Sequence, residues 1–296
     1  RDIVLRRLRL ILYAMGSIPT IIPQIAGKDN FSRGLPLTFS PGTCYTERME
    51  PLLIRQFVPH DVEADVPASK SILNRALLLA ALAKGDVHLE CGAFSEDTRA
   101  LLSCLQTLGI EVRREEDGVT VRGCGGRFPV KNASLNVMSA GTAARFLPVV
   151  LAFAGGDYRF ESSDQMKRRP MDVLFELERL GAAIEYAEER GHFPFRLISE
   201  DISSDMAVID TDKSTQFASG LLIAATIHPR PFTLSLTGGR TQSSYLKMTE
   251  TMLRSFGAAC EREGDRITVS APNVSPARYA VEPDLSGACY LYALSL

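Results

Sequence analysis

The sequence has no tryptophan and only four histidines among its 296 residues, and its formal net charge is −2. A charge so close to zero gives no support to nucleic acid or a membrane surface as the main partner. The six cysteines include no Cys-x-x-Cys pair, and no histidine stands at metal-ligand spacing from them. We therefore interpret the cysteines as reduced, mostly buried thiols of a cytosolic protein, and we expect no metal centre.

Long apolar runs are also missing. An apolar stretch follows Arg6-Arg7, but Pro19 and Pro23 interrupt it, and it is too short to span a bilayer. The chain as a whole has an ordinary globular composition, 45% hydrophobic and 23% charged, with enough length for one or two domains. Because 1–48 shares no pattern with residues 49–296, we expect an unrelated or disordered extension there rather than a targeting segment, with Met49 as the start of the main protein.

A run of good helix formers begins at residue 76, directly after Ser69-Lys70-Ser71-Ile72-Leu73-Asn74-Arg75. Pro67 followed by a serine is typical of a helix start, which places Lys70 in the first turn. Free N–H groups and the helix dipole favour an anion there. Ser71 and Arg75 fall on one helix face, where they can hold a carboxylate or phosphate. The alternative is an amphipathic helix with a solvated basic start.

The same pattern recurs at regular intervals. A second copy starts at Ser139, 70 residues later, a third at Ser214 after another 75, and a fourth at Ser286 after another 72. An independent marker, a Leu-Gly or Phe-Gly step suited to ending a helix, has the same period. Its glycines are Gly109, Gly181 and Gly257. Two markers with one period indicate a repeated unit of 70 to 76 residues.

Each repeat has the pattern β-α-β-α-β-β. A short strand, 62–66 in the first repeat, precedes the serine-started helix. A second strand and a helix ending at the glycine come next, and two strands across a polar turn complete the repeat. The sequence therefore predicts an α/β fold with three repeats over 68–282, in which buried helices are covered by outer sheets around a pseudo-threefold axis.

In this arrangement the polar helix starts point to one end of the lobe 68–282. That end would present N–H groups, hydroxyls and cations, which suit small, highly anionic ligands. Its members are Lys70, Ser71, Arg75, Gly141, Thr142, Arg145, Ser214, Thr215 and Gln216. The basic run Lys167-Arg168-Arg169-Pro170 can add a further clamp, although such a run is more often solvated surface.

Five ordered motifs resemble one family. The stretch 67–85 is similar to the opening signature of the 5-enolpyruvylshikimate-3-phosphate synthases. The other motifs are Ser139-Ala140-Gly141-Thr142-Ala143-Ala144-Arg145, Met166-Lys167-Arg168-Arg169-Pro170, Ser214-Thr215-Gln216-Phe217 and Asp284-Leu285-Ser286-Gly287-Ala288-Cys289-Tyr290. The resemblance covers 49–296 and implies the enolpyruvyl transferase fold, whose lobes are inside-out α/β barrels.

The resemblance implies transfer of the carboxyvinyl group of phosphoenolpyruvate to the 5-hydroxyl of shikimate-3-phosphate, with release of phosphate, in aromatic amino acid (chorismate) biosynthesis. The residues it implies at shikimate-3-phosphate are Lys70, Ser71, Arg75, Ser214, Thr215 and Gln216. Those it implies at phosphoenolpyruvate are Lys70, Gly141, Arg169 and Gln216. It implies no cofactor and no metal, no partner besides the two small substrates, and a cytoplasmic protein that is a monomer when full length.

Some positions depart from the family pattern. Ser139 stands where asparagine is common. Thr215 replaces a serine but keeps the hydroxyl. The usual phosphate-binding serine aligns with Gln242, beside Ser243, and remains unassigned, whereas Tyr245 keeps the family tyrosine.

Two alternatives stay open: the sibling transferase that acts on UDP-N-acetylglucosamine, which usually has Lys-Asn where this chain has Lys70-Ser71, and a non-catalytic anion-binding lobe. The catalytic acid–base carboxylates that the resemblance implies are expected beyond Leu296, so we expect this chain to be inactive alone. In this interpretation 49–67 is a strand and linker of a second lobe, 68–282 is the N-terminal lobe, and 283–296 is the truncated start of the second lobe.

Overall fold

The computed structural model describes residues 7–11, 61–200, 202–270 and 276–294. These residues form two compact units, one with 67–285 and the other with 7–11, 61–66 and 286–294. In the second unit β1 (Arg7–Ile11) pairs antiparallel with β2 (Asp61–Asp65). Residues 7–11, which we expected in a disordered extension, thus form a strand, and the rest of 1–48 lies outside the described residues. Across the described ranges, no helix has the length and hydropathy needed to cross a membrane.

The first unit contains three four-stranded sheets, one for each repeat. The first repeat consists of α1 (Lys70–Leu82), β3 (Asp86–Glu90), α2 (Glu96–Thr107), β4 (Val112–Glu115) and β5 (Gly118–Arg122). The second consists of β6 (Asn132–Asn136), α3 (Gly141–Ala154), β7 (Gly156–Glu161), α4 (Asp164–Lys167), α5 (Val173–Arg179), β8 (Ala183–Tyr186) and β9 (Phe195–Ser199). The third consists of β10 (Met206–Asp210), α6 (Thr215–Ala224), a 3₁₀ turn (Ala225–Ile227), β11 (Phe232–Thr237), α7 (Ser244–Ser255), β12 (Ala259–Glu263) and β13 (Arg266–Ser270). After them come β14 (Arg278–Ala280) and α8 (Leu285–Leu294).

The second and third repeats share one strand order, β6-β7-β9-β8 and β10-β11-β13-β12. In each, the first two strands are parallel, and the last two pair antiparallel. A parallel pair needs a crossover connection, and the serine-started helix provides it. The predicted order β-α-β-α-β-β is therefore confirmed for the third repeat, and the second repeat departs from it only by the short extra helix α4 before α5.

The sheet of the first repeat has the order β14-β3-β5-β4, so β14 fills the place of the first strand. The segment 62–66, which we predicted in that place, lies in β2 instead and pairs with β1. That prediction was wrong because alternation indicates a strand but does not specify its partner. The two ends of the lobe meet, since the Ser69 N–H donates to the Glu282 carbonyl and the Asp284 N–H donates to the Pro67 carbonyl, both at 2.8 Å.

The three serine-started helices form the centre of the unit. All residues are buried over 72–82 in α1, 142–153 in α3 and 217–224 in α6. A helix that is apolar on every side is stable only inside a core, which the sheets provide. At Gly220 an added Cβ would lie 3.1 Å from the backbone oxygen of Arg145, so glycine allows α6 and α3 to approach closely.

In each repeat the predicted glycine follows the helix that precedes the last two strands, namely α2, α5 and α7. Gly109, Gly181 and Gly257 have φ angles of +85°, +109° and +94°, a left-handed conformation that favours glycine at a helix C-terminus. The exposed edge of the third sheet is protected as well, because the buried carboxylate of Glu176 on α5 accepts the Val208 N–H of β10 at 3.0 Å.

Candidate functional site

The polar motifs lie at helix starts, as predicted. Lys70, Gly141 and Thr215 are the first residues of α1, α3 and α6. Side-chain bonds join these ends across the core: the Asn74 amide of α1 donates to the Thr142 hydroxyl of α3 at 2.6 Å. The starts of α1 and α3 therefore belong to one polar region, and Gln216 in the first turn of α6 faces Gly141 across it, so the free N–H groups and dipoles of the three helices favour anions there.

Arg75 lies deep in this region and is only 1% exposed. Its Nε donates to the Thr249 hydroxyl at 2.8 Å, its Nη1 to the Ser71 carbonyl at 2.8 Å and its Nη2 to the Ser219 hydroxyl at 3.2 Å. The guanidinium also lies over the ring of Tyr245, 5.9 Å from its centroid. Two of its five N–H groups thus join α1 to α6 and α7, and a third bonds within α1, a structural role that the sequence motif did not reveal.

The charge of Arg75 is not compensated by a carboxylate from the described residues. Burial lowers its pKa well below its ordinary value, to about 10. Holding a buried cation without a counter-ion is unfavourable, and an anion beside it would reverse part of that cost. Two N–H groups of the guanidinium remain for such an anion, and Ser71 lies one helical turn away on the same face.

A second cationic region surrounds Gly141. A Cβ built on this glycine would lie 3.2 Å from Arg145 Nη1, 3.6 Å from Arg169 Nη1 and 4.0 Å from Gln216 Oε1. The structure therefore brings together three residues that the sequence analysis assigned to one ligand, namely Gly141, Arg169 and Gln216. Because glycine has no side chain, the space between these polar groups stays open.

Arg145 belongs to this region as well, as the repeat pattern predicted, although the family resemblance implied no substrate for it. It is 5% exposed, its Nη1 donates to the Gly141 carbonyl at 3.3 Å, and its Nε is buried with no hydrogen-bond partner in the described part of the chain. Burial, and secondly the neighbouring charge of Arg169, lower its pKa to about 10. Two guanidinium groups held together in this way favour a doubly charged anion between them. In the sequence, the signal for Arg145 is its position in the second repeat, which corresponds to that of Arg75 in the first.

The ammonium group of Lys70 pairs with a carboxylate. Its Nζ lies 3.2 Å from Asp97 Oδ2, and its side chain is 46% exposed. An exposed ion pair of this kind is weak, so the ammonium group can exchange Asp97 for a more highly charged anion.

The motif that begins at Ser214 is held in place by a hydrogen bond of its own first residue. The Ser214 hydroxyl accepts the Gln216 N–H at 3.2 Å and so forms the N-cap of α6, with Thr215 half-buried beside it. An ion pair of 3.2 Å between Lys213 and Asp172 joins this segment to the one that comes after Arg169. This exposed pair brings the two predicted substrate segments into contact but adds little stability.

Residues 56–296 match the protein family described as EPSP synthase (3-phosphoshikimate 1-carboxyvinyltransferase). The chain belongs to the EPSP synthase family. A 3-phosphoshikimate 1-carboxyvinyltransferase of Nostoc sp. is 35% identical over 79% of this chain and 56% of its own length, and one of Bordetella parapertussis is 38% identical over 78% and 54%. An EPSP synthase structure from Acinetobacter baumannii superposes with a TM-score of 0.66 at 25% identity, over 76% of this chain and 50% of that one. The chain thus spans about half the length of these relatives.

The structure also describes the positions where the chain departs from the EPSP synthase pattern. The Ser139 hydroxyl bonds to the Ser163 hydroxyl at 2.8 Å. Gln242 is exposed, and Ser243 is the N-cap of α7, where its hydroxyl accepts the Tyr245 N–H at 3.3 Å. The cap uses the Ser243 hydroxyl as an acceptor and does not use its proton.

Proposed function

We propose that this chain supplies the anion-binding half of the site in which an EPSP synthase transfers the carboxyvinyl group of phosphoenolpyruvate to shikimate-3-phosphate. The observation that carries the proposal is the pair of guanidinium groups, Arg145 and Arg169, that faces the open space at Gly141 with no carboxylate of the described residues between them. Such a pair needs an anion of high charge, and the phosphate of phosphoenolpyruvate meets that need.

Shikimate-3-phosphate is proposed to bind between α1 and α6. Its carboxylate would take the two remaining N–H groups of Arg75 together with the Ser71 hydroxyl, and it would supply the counter-ion that the buried arginine lacks. Its phosphate would lie at the start of α6, with Ser214, Thr215 and Gln216 as donors. Lys70, released from Asp97, would lie between the two substrates.

The chemistry needs these cations for a physical reason. The 5-hydroxyl of shikimate-3-phosphate adds to C2 of phosphoenolpyruvate while a proton is added to C3, and the adduct then loses a proton from C3 and phosphate from C2. Both substrates carry a phosphate and a carboxylate, so they approach each other only where cations compensate their repulsion and hold them in reacting geometry. We attribute that positioning to this chain, and we expect a cytoplasmic enzyme that acts as a monomer.

The test is binding to the chain itself. Calorimetry with shikimate-3-phosphate should give a measurable dissociation constant, and shikimate without its phosphate should bind more weakly. Replacing Thr215 by valine removes one hydroxyl donor and should weaken shikimate-3-phosphate binding, whereas Thr107→Val, an exposed threonine on α2, should not. The proposal fails if shikimate-3-phosphate and shikimate bind equally.

The two alternatives predict other results. For the UDP-N-acetylglucosamine sibling, that ligand and not shikimate-3-phosphate would raise the melting temperature. A non-catalytic lobe would bind shikimate-3-phosphate tightly but give no turnover in a full-length version. The serine after Lys70 favours the shikimate assignment, because the sibling usually has asparagine there.

A further inference from the structure

The backbone determines where Arg169 lies. Its guanidinium is exposed and makes no hydrogen bond or ion pair with the described residues. It nevertheless lies near Arg145, since the Nη1 atoms of both arginines lie within 3.6 Å of a Cβ built on Gly141. Like charges repel, and Arg169 is one cause of the lowered pKa of Arg145. The position of Arg169 therefore depends on how its segment of chain is attached to the start of α3.

Hydrogen bonds connect Arg169 to Ser163, six residues before it. Ser163 is the N-cap of α4, and its hydroxyl accepts the Met166 N–H at 3.3 Å. The Arg169 N–H donates to the Met166 carbonyl at 2.9 Å, and the Met166 side chain is buried in the core. Because the turn between them is bonded in this way, a shift of Ser163 would also move Arg169.

Ser163 is attached in turn to the segment that leads into α3. Beyond the parallel pair β6 and β7, the Val137 N–H donates to the Glu161 carbonyl at 2.9 Å. The Ser163 N–H then donates to the Met138 carbonyl at 3.0 Å. A third bond, 2.8 Å long, joins the hydroxyls of Ser139 and Ser163. This third bond lies two residues before α3 begins, so it links the start of α3 to the start of α4.

The backbone at Met138 is strained. Its φ angle is +52°, and within the described ranges it is the one residue other than glycine in the left-handed region. The Asn136 side-chain oxygen accepts the Met138 N–H at 2.8 Å and helps to hold this turn. Strained backbone persists only where the surrounding structure imposes it, and it is frequent at functional sites. Here the strained turn brings the Ser139 hydroxyl to Ser163.

We propose that Ser139 and Ser163 are positioning residues that hold Arg169 opposite Arg145. The serine pair fixes the segment that carries Arg169 to the start of α3, against the repulsion between the two guanidinium groups. It acts through Arg169 and not directly on the anion. This role rests on the proposed function, because phosphoenolpyruvate is the anion that the two arginines would hold. It also gives a use to the serine at position 139, where asparagine is common in the family.

The first test is hydrogen exchange at the Arg169 amide in the chain without ligand. Ser139→Ala removes the bond between the hydroxyls but leaves the N-cap of α4 intact. In this variant the Arg169 N–H should exchange about threefold faster or more, because the α4 segment opens more easily. Ser139→Thr keeps a hydroxyl and should restore the wild-type rate. Ser255→Ala is the control, because this exposed serine bonds only to the Thr251 carbonyl of its own helix, and it should change nothing.

The second test is calorimetry with each substrate. Phosphoenolpyruvate should bind about threefold to tenfold more weakly to Ser139→Ala than to the wild type, the scale of one hydrogen bond. Shikimate-3-phosphate, whose proposed contacts do not include Arg169, should bind as before. Ser139→Thr should restore phosphoenolpyruvate binding. When Ser163→Ala is already present, adding Ser139→Ala should weaken phosphoenolpyruvate binding no further, because both changes remove the same bond.

Three results would overturn the role of the serine pair. One is an unchanged exchange rate at Arg169 in folded Ser139→Ala. Another is equal weakening of both substrates in that variant, which would indicate a general structural loss. The third is additive weakening when the two alanines are combined. If the wild type binds no phosphoenolpyruvate, the proposed function fails, and hydrogen exchange still decides whether the serines hold Arg169. Ser139→Ala keeps the test valid if Ser163→Ala does not fold.

Discussion

Arg75→Met should separate the structural role of this arginine from its proposed role in binding. In the folded protein the lowered pKa of about 10 corresponds to a cost on the order of 3 kcal/mol for holding the charge. Methionine removes that cost and fills much of the same volume. The Ser71 carbonyl keeps its backbone bond within α1 but loses the charged side-chain donor, at about 1.5–3 kcal/mol, while the Thr249 and Ser219 hydroxyls still bond to each other at 3.0 Å.

These opposing effects nearly cancel, so the free energy of unfolding without ligand should change by less than about 2 kcal/mol. Ligand stabilisation should behave differently. At a shikimate-3-phosphate concentration about 100 times its dissociation constant, the wild type gains about 2.7 kcal/mol. The variant loses charge-assisted bonds of about 1.5–3 kcal/mol and should show little of that gain.

The assay is urea unfolding followed by circular dichroism, with and without shikimate-3-phosphate. Arg122→Met is the control, because that arginine is 69% exposed on the outer sheet and should change neither quantity. The reasoning is refuted if Arg75→Met loses more than about 4 kcal/mol without ligand yet keeps the full stabilisation by shikimate-3-phosphate. Arg75 would then be a core residue alone.

Three further predictions concern other parts of the lobe. Gly141→Ala should fold normally, because its backbone is not in the left-handed region, but its methyl group enters the space between the two guanidinium groups and should weaken phosphoenolpyruvate binding at least tenfold in calorimetry while shikimate-3-phosphate binding is retained. Glu176→Ala should lower the free energy of unfolding in urea by about 1–3 kcal/mol because the Val208 N–H loses its acceptor, and Glu176→Gln, which keeps an oxygen, should lose less; equal losses would contradict this role. Arg230 holds the pKa of Asp205 at about 2, below its unfolded value of about 3.9, so the stability that Asp205 contributes is complete above pH 4 and is lost as the pH falls towards 2. The difference in unfolding free energy between wild type and Asp205→Asn should therefore shrink over that interval, and a constant difference would contradict the assignment.

The sequence predicted the repeats because local signals specify them. The glycines that follow the outer helices, and the serines before the inner ones, act within a few residues, so their positions agree with the structure. The partner of a strand is a long-range property. The pattern at 62–66 indicated a strand, but nothing local distinguished pairing with β3 from pairing with β1, and β14 takes the first place.

In the candidate site, too, local signals predicted some features, whereas others depend on long-range packing. Motif positions predicted that Gly141, Arg169 and Gln216 serve one ligand, and the structure brings them together. Burial was not predictable, because an arginine on a helix face is usually exposed. Only the packing of α1 against α6 and α7 makes Arg75 a core residue, and only the approach of Arg169 makes the charge of Arg145 significant.

The measurement that tests the central claim most directly is carboxyvinyl transfer itself. The chain would be combined with the segment of the Bordetella parapertussis relative that it does not cover, and transfer from phosphoenolpyruvate to shikimate-3-phosphate would be followed by mass spectrometry. As a control, the relative divided at the same place and reassembled must be active. We predict enolpyruvyl product and released phosphate in equal amounts, both lost in Arg169→Ala. Absence of product from folded, associated halves, while the divided relative is active, would contradict the assignment of this lobe to the EPSP synthase reaction.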